Sequence, residues 1–502
     1  MASERALESA RAFCGQTLYA ASAMHARVPL TDVAPSVEGL RTLAANGNWS
    51  EVLTLAERLE AEVAVKALRH PSKYASVPWS TTPPNPSLRA GPHHAETDAT
   101  VRLSTDAAIR SARLPFVLVQ VTANLKMRRI AAVKKIIDGL GDIEGDGFRH
   151  PTTRESFAPF SLRLVAALLP LYVGVPMEAQ RKLYALLEET LAQERQCVAA
   201  SGDARSGSPD AGDEDAARQT TPVTALRRTW AQRVLRVQRA LLHVHIHTSQ
   251  HSLAHALAER VLRSECASRR TSGELSEELS QLRYVLQLQQ LFCLALHIGD
   301  PSRAQATRND IEGATVASGP ASDGDETPST VLSNARLFHL VRLSCDAFLA
   351  VFRGDYGTAV QLLSDVVGIA TRAKQVLRAA DPGAHGDDGQ VAVAPVGVLS
   401  EEALRRWVLQ DICASAQVSH ATSLAYRSDA DPTTLMSDLC GTLEKYAKAE
   451  PQVLCHSDAF VESLVRFYTL AGDRKSNLDR LADLMEVFRC DRGSLPSLEA
   501  LV

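Results

Sequence analysis

Aromatic side chains are scarce: four Trp, nine Tyr and twelve Phe make up 5% of 502 residues. A β-sandwich fills its pleated inner faces with aromatic and β-branched residues, so this composition argues against one and suits helices rich in Ala and Leu. No run of about 18 apolar residues is free of charge, so no membrane-spanning helix is expected. The formal net charge is only −4, which removes any global electrostatic case for nucleic acid or an anionic membrane as the main partner. The nine cysteines (Cys14, Cys197, Cys266, Cys293, Cys345, Cys413, Cys440, Cys455 and Cys490) include no CxxC pair. Their scatter suits a reducing compartment rather than a disulfide framework, and Cys293 and Cys345, set in apolar runs, read as small buried side chains. Also absent are a GxSxG elbow, a GxxxxGK phosphate loop, an HExxH pair and a kinase signature. No catalytic, cofactor-binding or metal-binding residue is therefore predicted, and the chain is not expected to be an enzyme.

What is present is helical periodicity broken by five stretches. Residues 70–100 form a Pro/Ser-rich linker, 139–157 a Gly/Asp-rich loop, 201–222 an acidic disordered linker, 313–330 a second disordered linker and 380–399 a further linker. None has apolar periodicity to offset the entropy of ordering, so mobility is expected of them. They divide the chain into N-terminal helices with a first repeat-like pair (1–69), helical repeats (101–200), repeats over 223–312 and 331–379, and C-terminal helical repeats (400–502). At roughly 150 residues per domain the length would also allow three ordinary domains. The start, MASERALESARAFCGQTLYAAS, carries Glu4 and Glu8 before its short apolar patches; this is neither a secretory signal nor a transit peptide and reads as a helix of a cytosolic protein.

Between the breaks, Leu337, Val341, Cys345, Phe348 and Phe352 recur at intervals of three or four, as do Leu226, Trp230, Val234, Val237, Leu241 and Val244. Such spacing lays one apolar stripe on a helix, and no alternating run argues for a sheet. In AFLAVFRGDYGTAVQLLSDVV (347–367), Gly354 and Asp355 end one helix, Tyr356 starts the next, and the small Ala359 lets the two approach closely. Glycine suits the left-handed residue that closes a helix and Asp the cap of its successor. The Arg-Gly-Asp tripeptide is thus an inter-helix bend, not an adhesion site or a phosphate cradle.

The unit returns with Gly299, Asp300 and Ala304, with Gly47, Trp49 and Val52, with Gly174 and Ala179, and with Ala254, where Ser249 replaces the glycine. Residues 114–138 and 403–450 read as further pairs with poorer turns. The expected fold is all-α, a stack of degenerate tetratricopeptide-like helix-turn-helix repeats forming an α-solenoid, whose surfaces bind partners.

Three patterns with chemical overtones have plainer readings. HVHIHTSQHSLAH places His247, His251 and His255 at helical spacing, but a bend at 248–250 should separate them and leave imidazoles at a turn and helix surface. GDIEGDG (141–147) resembles the start of a calcium loop, yet its twelfth position is Thr153 rather than an acid. The run LKMRRIAAVKK holds Lys126, Arg128, Arg129, Lys134 and Lys135, a solvated helix face that could also meet an acidic partner or anionic lipid. Paired acids such as Glu188–Glu189 and Glu401–Glu402 read as solvated helix surface.

Several islands in order, ANGNWSEVLTLAERL, LPFVLVQVTANLKMRRIAAVKKI, PFSLRLVAALLPLYVGVPMEAQRKLYALLEE, RRTWAQRVLRVQRALL, LALHIGDPSRAQ and FRGDYGTAVQLL, resemble the twelfth-subunit family of the TRAPP trafficking complex, across roughly residues 36–490. The most distinctive motif is Pro159-Phe160-Ser161-Leu162-Arg163. The family carries a tyrosine-rich loop before that motif, where this chain has GDIEGDGFRHPTTRES. The resemblance implies a non-catalytic scaffold in a Rab-activating tethering complex of ER-to-Golgi transport, with a link to autophagy. Its partners would be other protein subunits, with no nucleic acid. It would lie in the cytoplasm, held at ER–Golgi or Golgi membranes only through the complex. The rival readings are a tetratricopeptide adaptor for chaperones, motors or peroxisomal cargo, and a metal-dependent enzyme using the histidines.

Overall fold

The computed structural model describes residues 30–45, 47–70, 105–149, 156–206, 213–269, 276–318, 327–380, 401–427, 432–450, 453–454, 457–472 and 474–489. The described residues are almost wholly helical, with no strand among them. In chain order the helices are α1 (Val37–Ala45), α2 (Trp49–Arg69), α3 (Thr105–Lys126), α4 (Ile130–Leu140), α5 (Phe160–Tyr172), α6 (Pro176–Ser206), α7 (Asp213–His247), α8 (His251–Arg269) and α9 (Glu277–Ile298). There follow α10 (Pro301–Ala317), α11 (Pro328–Val331), α12 (Asn334–Phe352), α13 (Tyr356–Ala380), α14 (Glu401–Arg427), α15 (Pro432–Ala449), α16 (Asp458–Ala471) and α17 (Arg474–Arg489). Two compact units form: one comprises Pro35–Leu40 with Glu51–Leu257, the other Met1–Ala34, Arg41–Ser50 and Ala258–Val502.

Short polar residues start the helices. Asp300 caps α10, accepting from the Arg303 amide at 3.0 Å, with Pro301 next in line; Ser276, Ser333 and Ser457 do the same for α9, α12 and α16. Asp355 caps α13 through the Thr358 amide at 3.1 Å. Hydrogen bonds from the Thr358 side chain and amide hold the Asp355 carboxyl below its ordinary range. A depressed carboxyl pKa contributes stability above the unfolded value, near 4, and loses it as pH falls through the lower folded value. Asp355→Asn is therefore expected to flatten the acid limb of a stability-versus-pH curve below about pH 4, while leaving stability at pH 7 nearly unchanged.

The helix pairs are joined by one recurring turn. Gly47, Arg128, Gly174, Ser249, Gly299 and Gly354 all take left-handed φ, between 54° and 85°. At each, the left-handed residue donates its N–H to the carbonyl three back, and the next residue donates to the carbonyl five back, as from Asp355 to Ala350 at 2.9 Å and from Gln250 to His245 at 2.8 Å. This is the two-bond Schellman closure. Five residues beyond each stands a fully buried side chain: Val52, Val133, Ala179, Ala254, Ala304 and Ala359. A Cβ added at Gly174, Gly299 or Gly354 would meet nothing within 4 Å, so glycine is favoured there by backbone conformation alone. Ser249 bears the left-handed strain that glycine avoids. Ser249→Gly is expected to raise stability by about 1 kcal/mol, read as a higher denaturant midpoint.

Within the Glu51–Leu257 unit, successive helices pack on one another from α3 to α7. Helix α5 has no exposed residue between Phe160 and Leu171. Its Leu162 and Leu169 join Leu114, Val117 and Val121 of α3 and Val133 and Ile137 of α4. Its Ala167 and Leu171 join Ala179, Leu183 and Leu187 of α6 and Val234, Val237 and Leu241 of α7. A helix apolar all round is one buried on both sides. Within the Ala258–Val502 portion of the other unit, α12 has the same character, with α9, α10, α13 and α14 against it. Farther on, α15, α16 and α17 close a cluster around Leu443, Phe460, Leu464 and Tyr468.

Three expectations need correction. The loop at 139–157 is not a solvated break where it is described: α4 runs through Gly139 and Leu140, and Ile143 and Phe148 are buried with the α3–α5 core. The sequence predicts a disordered linker over 201–222, but 201–206 complete α6 and 213–222 begin α7. Of 313–330, residues 313–317 continue α10, and 328–330 belong to α11, entered by a capping box at Thr327. The N-terminal segment 1–22, the linker beyond His70 and residues 381–399 lie outside the described residues.

Candidate functional site

The motif Pro159–Arg163 opens α5 and proves to be a packing node. Phe160 lies under the guanidinium groups of Arg233 and Arg236 of α7, each 5.4 Å from its ring centre, and Ser161 accepts from Arg236 at 2.9 Å. Leu162 is fully buried. Arg163 is only 5% exposed. Its Nε donates to Glu144 at 2.7 Å, and its Nη1 and Nη2 donate to Glu189 of α6 at 3.1 and 2.6 Å, so both carboxylates are gripped in bidentate fashion. Arg149 adds a second cation, 3.8 Å from Glu189. Burial alone would lower the Arg163 pKa, but the bonds to Glu144 and Glu189 outweigh it and hold the cation more firmly than usual. The loop that mimics a calcium site thus spends its Glu144 on Arg163, and Glu189 is an ion-pair partner rather than a merely solvated acid. A lone cation within the apolar run FSLRLVAALL is the signal that a carboxylate partner must exist.

A second node ties three helix starts in the other unit. Arg405 of α14 donates to the Leu332 carbonyl at 2.8 Å, to Asn334 at 3.0 Å, to Glu278 at 2.6 Å and to Glu401 at 2.9 Å. Glu401 also accepts from Ser276 at 3.0 Å, so it too belongs to a network. Tyr356, at the start of α13, stacks on Tyr426 of α14 with ring centres 5.4 Å apart. Trp49 is half-buried at the start of α2.

The histidines divide between two helices. His247 ends α7 and His251 begins α8, with the turn at Ser249 between them. Contrary to the surface expectation, His245 and His255 are buried. His245 shares hydrogen bonds with Gln250 at 2.8 Å through Nδ1 and with the Tyr184 hydroxyl at 3.2 Å through Nε2. Among the described residues, no group of three or more His, Cys, Asp or Glu side chains is arranged to hold a metal ion.

No protein-family model matches the chain, and no curated protein matches it in sequence.

Two turns of the Glu51–Leu257 unit differ in character. Lys126 closes α3, Arg128 takes the left-handed position of the turn, Arg129 precedes α4, and Lys134 and Lys135 are exposed along α4. Lys134 holds Asp138 at 2.6 Å. The next turn of this kind, 173–175, is apolar: Tyr172 is 47% exposed, Val173 41%, Val175 47% and Met177 65%. Tyr172 reaches α7, its hydroxyl 3.5 Å from His243 Nε2. Helix α6 then presents Glu178, Arg181 and Lys182, with Lys182 bound to Glu178 at 2.8 Å. Among the described residues, no helix is long and apolar enough to cross a membrane.

Proposed function

We propose that this chain is a non-catalytic scaffold of helix-turn-helix repeats, stacked as a tetratricopeptide-like α-solenoid, that holds other protein subunits together. Its supporting observation is the turn repeated at Gly47, Arg128, Gly174, Ser249, Gly299 and Gly354, each followed five residues later by a fully buried side chain. Successive use of one closure and one close-approach residue is the economy of a repeat array, in which each pair covers its neighbour. The polar networks at Arg163 and Arg405 join helices to one another.

The ordered islands ending in FRGDYGTAVQLL, with Pro159–Arg163 the most distinctive, extend the proposal to a subunit of a TRAPP-type tethering and Rab-exchange complex in ER-to-Golgi transport. On this view the chain works in the cytoplasm at Golgi-proximal membranes and exchange chemistry belongs to other subunits. Affinity purification of the tagged full chain from cells tests it. Co-purification of Rab-exchange subunits at stoichiometric levels is the expected result. Their consistent absence, with chaperones, motors or peroxisomal receptors recovered instead, would replace this reading with that of an unrelated repeat adaptor.

A further inference from the structure

We propose that Trp407 and Asp411 of α14 form a docking site for an arginine side chain of a partner protein, whose guanidinium lies over the indole while donating to the carboxylate. The proposal deepens the scaffold reading and rests on it for the partner being a protein.

The two residues stand four apart on one unbroken helix, so their side chains are neighbours on one face, with Cβ atoms about 5–6 Å apart. Both are exposed, Trp407 to 48%. The same stretch of α14 buries Val408, Leu409, Ile412 and Cys413, so the core is served by other side chains and the indole is left facing water.

The charge pattern along α14 shows what this face lacks. Glu401 holds Arg405 at 2.9 Å and Glu402 holds Arg406 at 2.6 Å, each acid pairing with the base four residues on. Asp411 breaks the series, with Trp407 four residues before it and Ser415 four after. Among the described residues no cation pairs with Asp411 and none lies over Trp407. Desolvation by its neighbours pushes the Asp411 carboxyl above its ordinary range, and no cation opposes it. A carboxylate partly stripped of water and lacking a counter-ion gains most from one that arrives.

Elsewhere the chain seats cations on rings from within. Arg233 lies over Trp230 at 4.4 Å from the ring centre, and Lys374 over Tyr446 at 5.3 Å. At Trp407 the ring is offered and the cation must come from outside. Arginine fits best, because its planar guanidinium can stack on an aromatic face and donate in a fork to a carboxylate, whereas an ammonium is a compact, strongly hydrated point charge. Tryptophan and arginine are also among the side chains that dominate binding energy at protein interfaces.

The test titrates the purified full chain into fluorescein-labelled decapeptides of alternating Arg and Gly, Lys and Gly, or Glu and Gly, followed by anisotropy. The arginine peptide is expected to bind at least about threefold more tightly than the lysine peptide, and the glutamate peptide not at all. The surface changes Asp411→Asn and Trp407→Leu should each weaken arginine-peptide binding about fivefold, with unchanged circular dichroism and melting. With fluorotryptophan at all four tryptophan positions, the fluorine resonance that Trp407→Phe removes should be the one that the arginine peptide shifts. A stationary Trp407 resonance, equal binding of the lysine or glutamate peptide, or folded variants that bind like the parent chain would overturn the proposal. So would a concentration-dependent dimer in sedimentation that Trp407→Leu dissolves, which would reassign this face to a second copy of the chain. The peptides report on this site and co-purification reports on the scaffold, so each reading can fail without the other.

Discussion

Replacing Arg163 with alanine will lower the unfolding free energy by about 3 kcal/mol, since removing one partner of a buried pair strands the other charges. All three guanidinium nitrogens are engaged, and they link a loop, α5 and α6 through Glu144 and Glu189. Those carboxylates are 46% and 29% exposed, so water would recover part of the loss, and the figure sits at the lower end of the usual cost, which is about 3–5 kcal/mol. The triple variant Arg163→Met/Glu144→Gln/Glu189→Gln should recover at least about half of that cost, because an apolar and amide replacement leaves no unpaired charge. Denaturant titration followed by circular dichroism measures both. A single variant within about 0.5 kcal/mol of the parent would show that the node is mere surface pairing.

Ala359→Leu will cost about 3 kcal/mol, the upper part of the usual range for inserting methylenes into a filled core. Ala359 stands five residues past the left-handed Gly354 and has no exposed surface. A leucine there must displace what packs on α13, which lies against both α12 and α14. Ala304→Leu and Ala179→Leu, at the same offset from Gly299 and Gly174, should behave alike, whereas Ala131→Leu, on the exposed side of α4, should change stability by less than about 0.5 kcal/mol. Melting of the four variants side by side decides the matter. If Ala359→Leu melts with Ala131→Leu, these alanines are not close-approach residues.

The turns were legible in the sequence because their chemistry is local. Glycine near the left-handed position, Asp at the following cap and alanine one turn on are written within six residues, as in Gly354, Asp355 and Ala359. Even Ser249, in the wrong residue type, could be placed by the company it keeps. The packed part of the 139–157 loop was not legible, because Ile143 and Phe148 are five apart among glycines and acids and show no period. The partners of the buried cations were hidden for another reason: Arg163 finds Glu189 26 residues away, and Arg405 finds Glu278 127 residues away. Nothing in a linear pattern marks which acid on a polar helix will face a distant guanidinium. Burial of His245 escaped notice because its Tyr184 partner lies 61 residues upstream, although Gln250 is close by.

Helix α5, dry on both flanks, makes the two hydrophobic clusters of its unit hostages to each other. Withdrawing it would bare Leu162 and Leu169 on one side and Ala167 and Leu171 on the other in a single event. Amides from α3 through α7 should therefore exchange with solvent deuterium in step, as one cooperative block rather than as separate hairpins that open in turn.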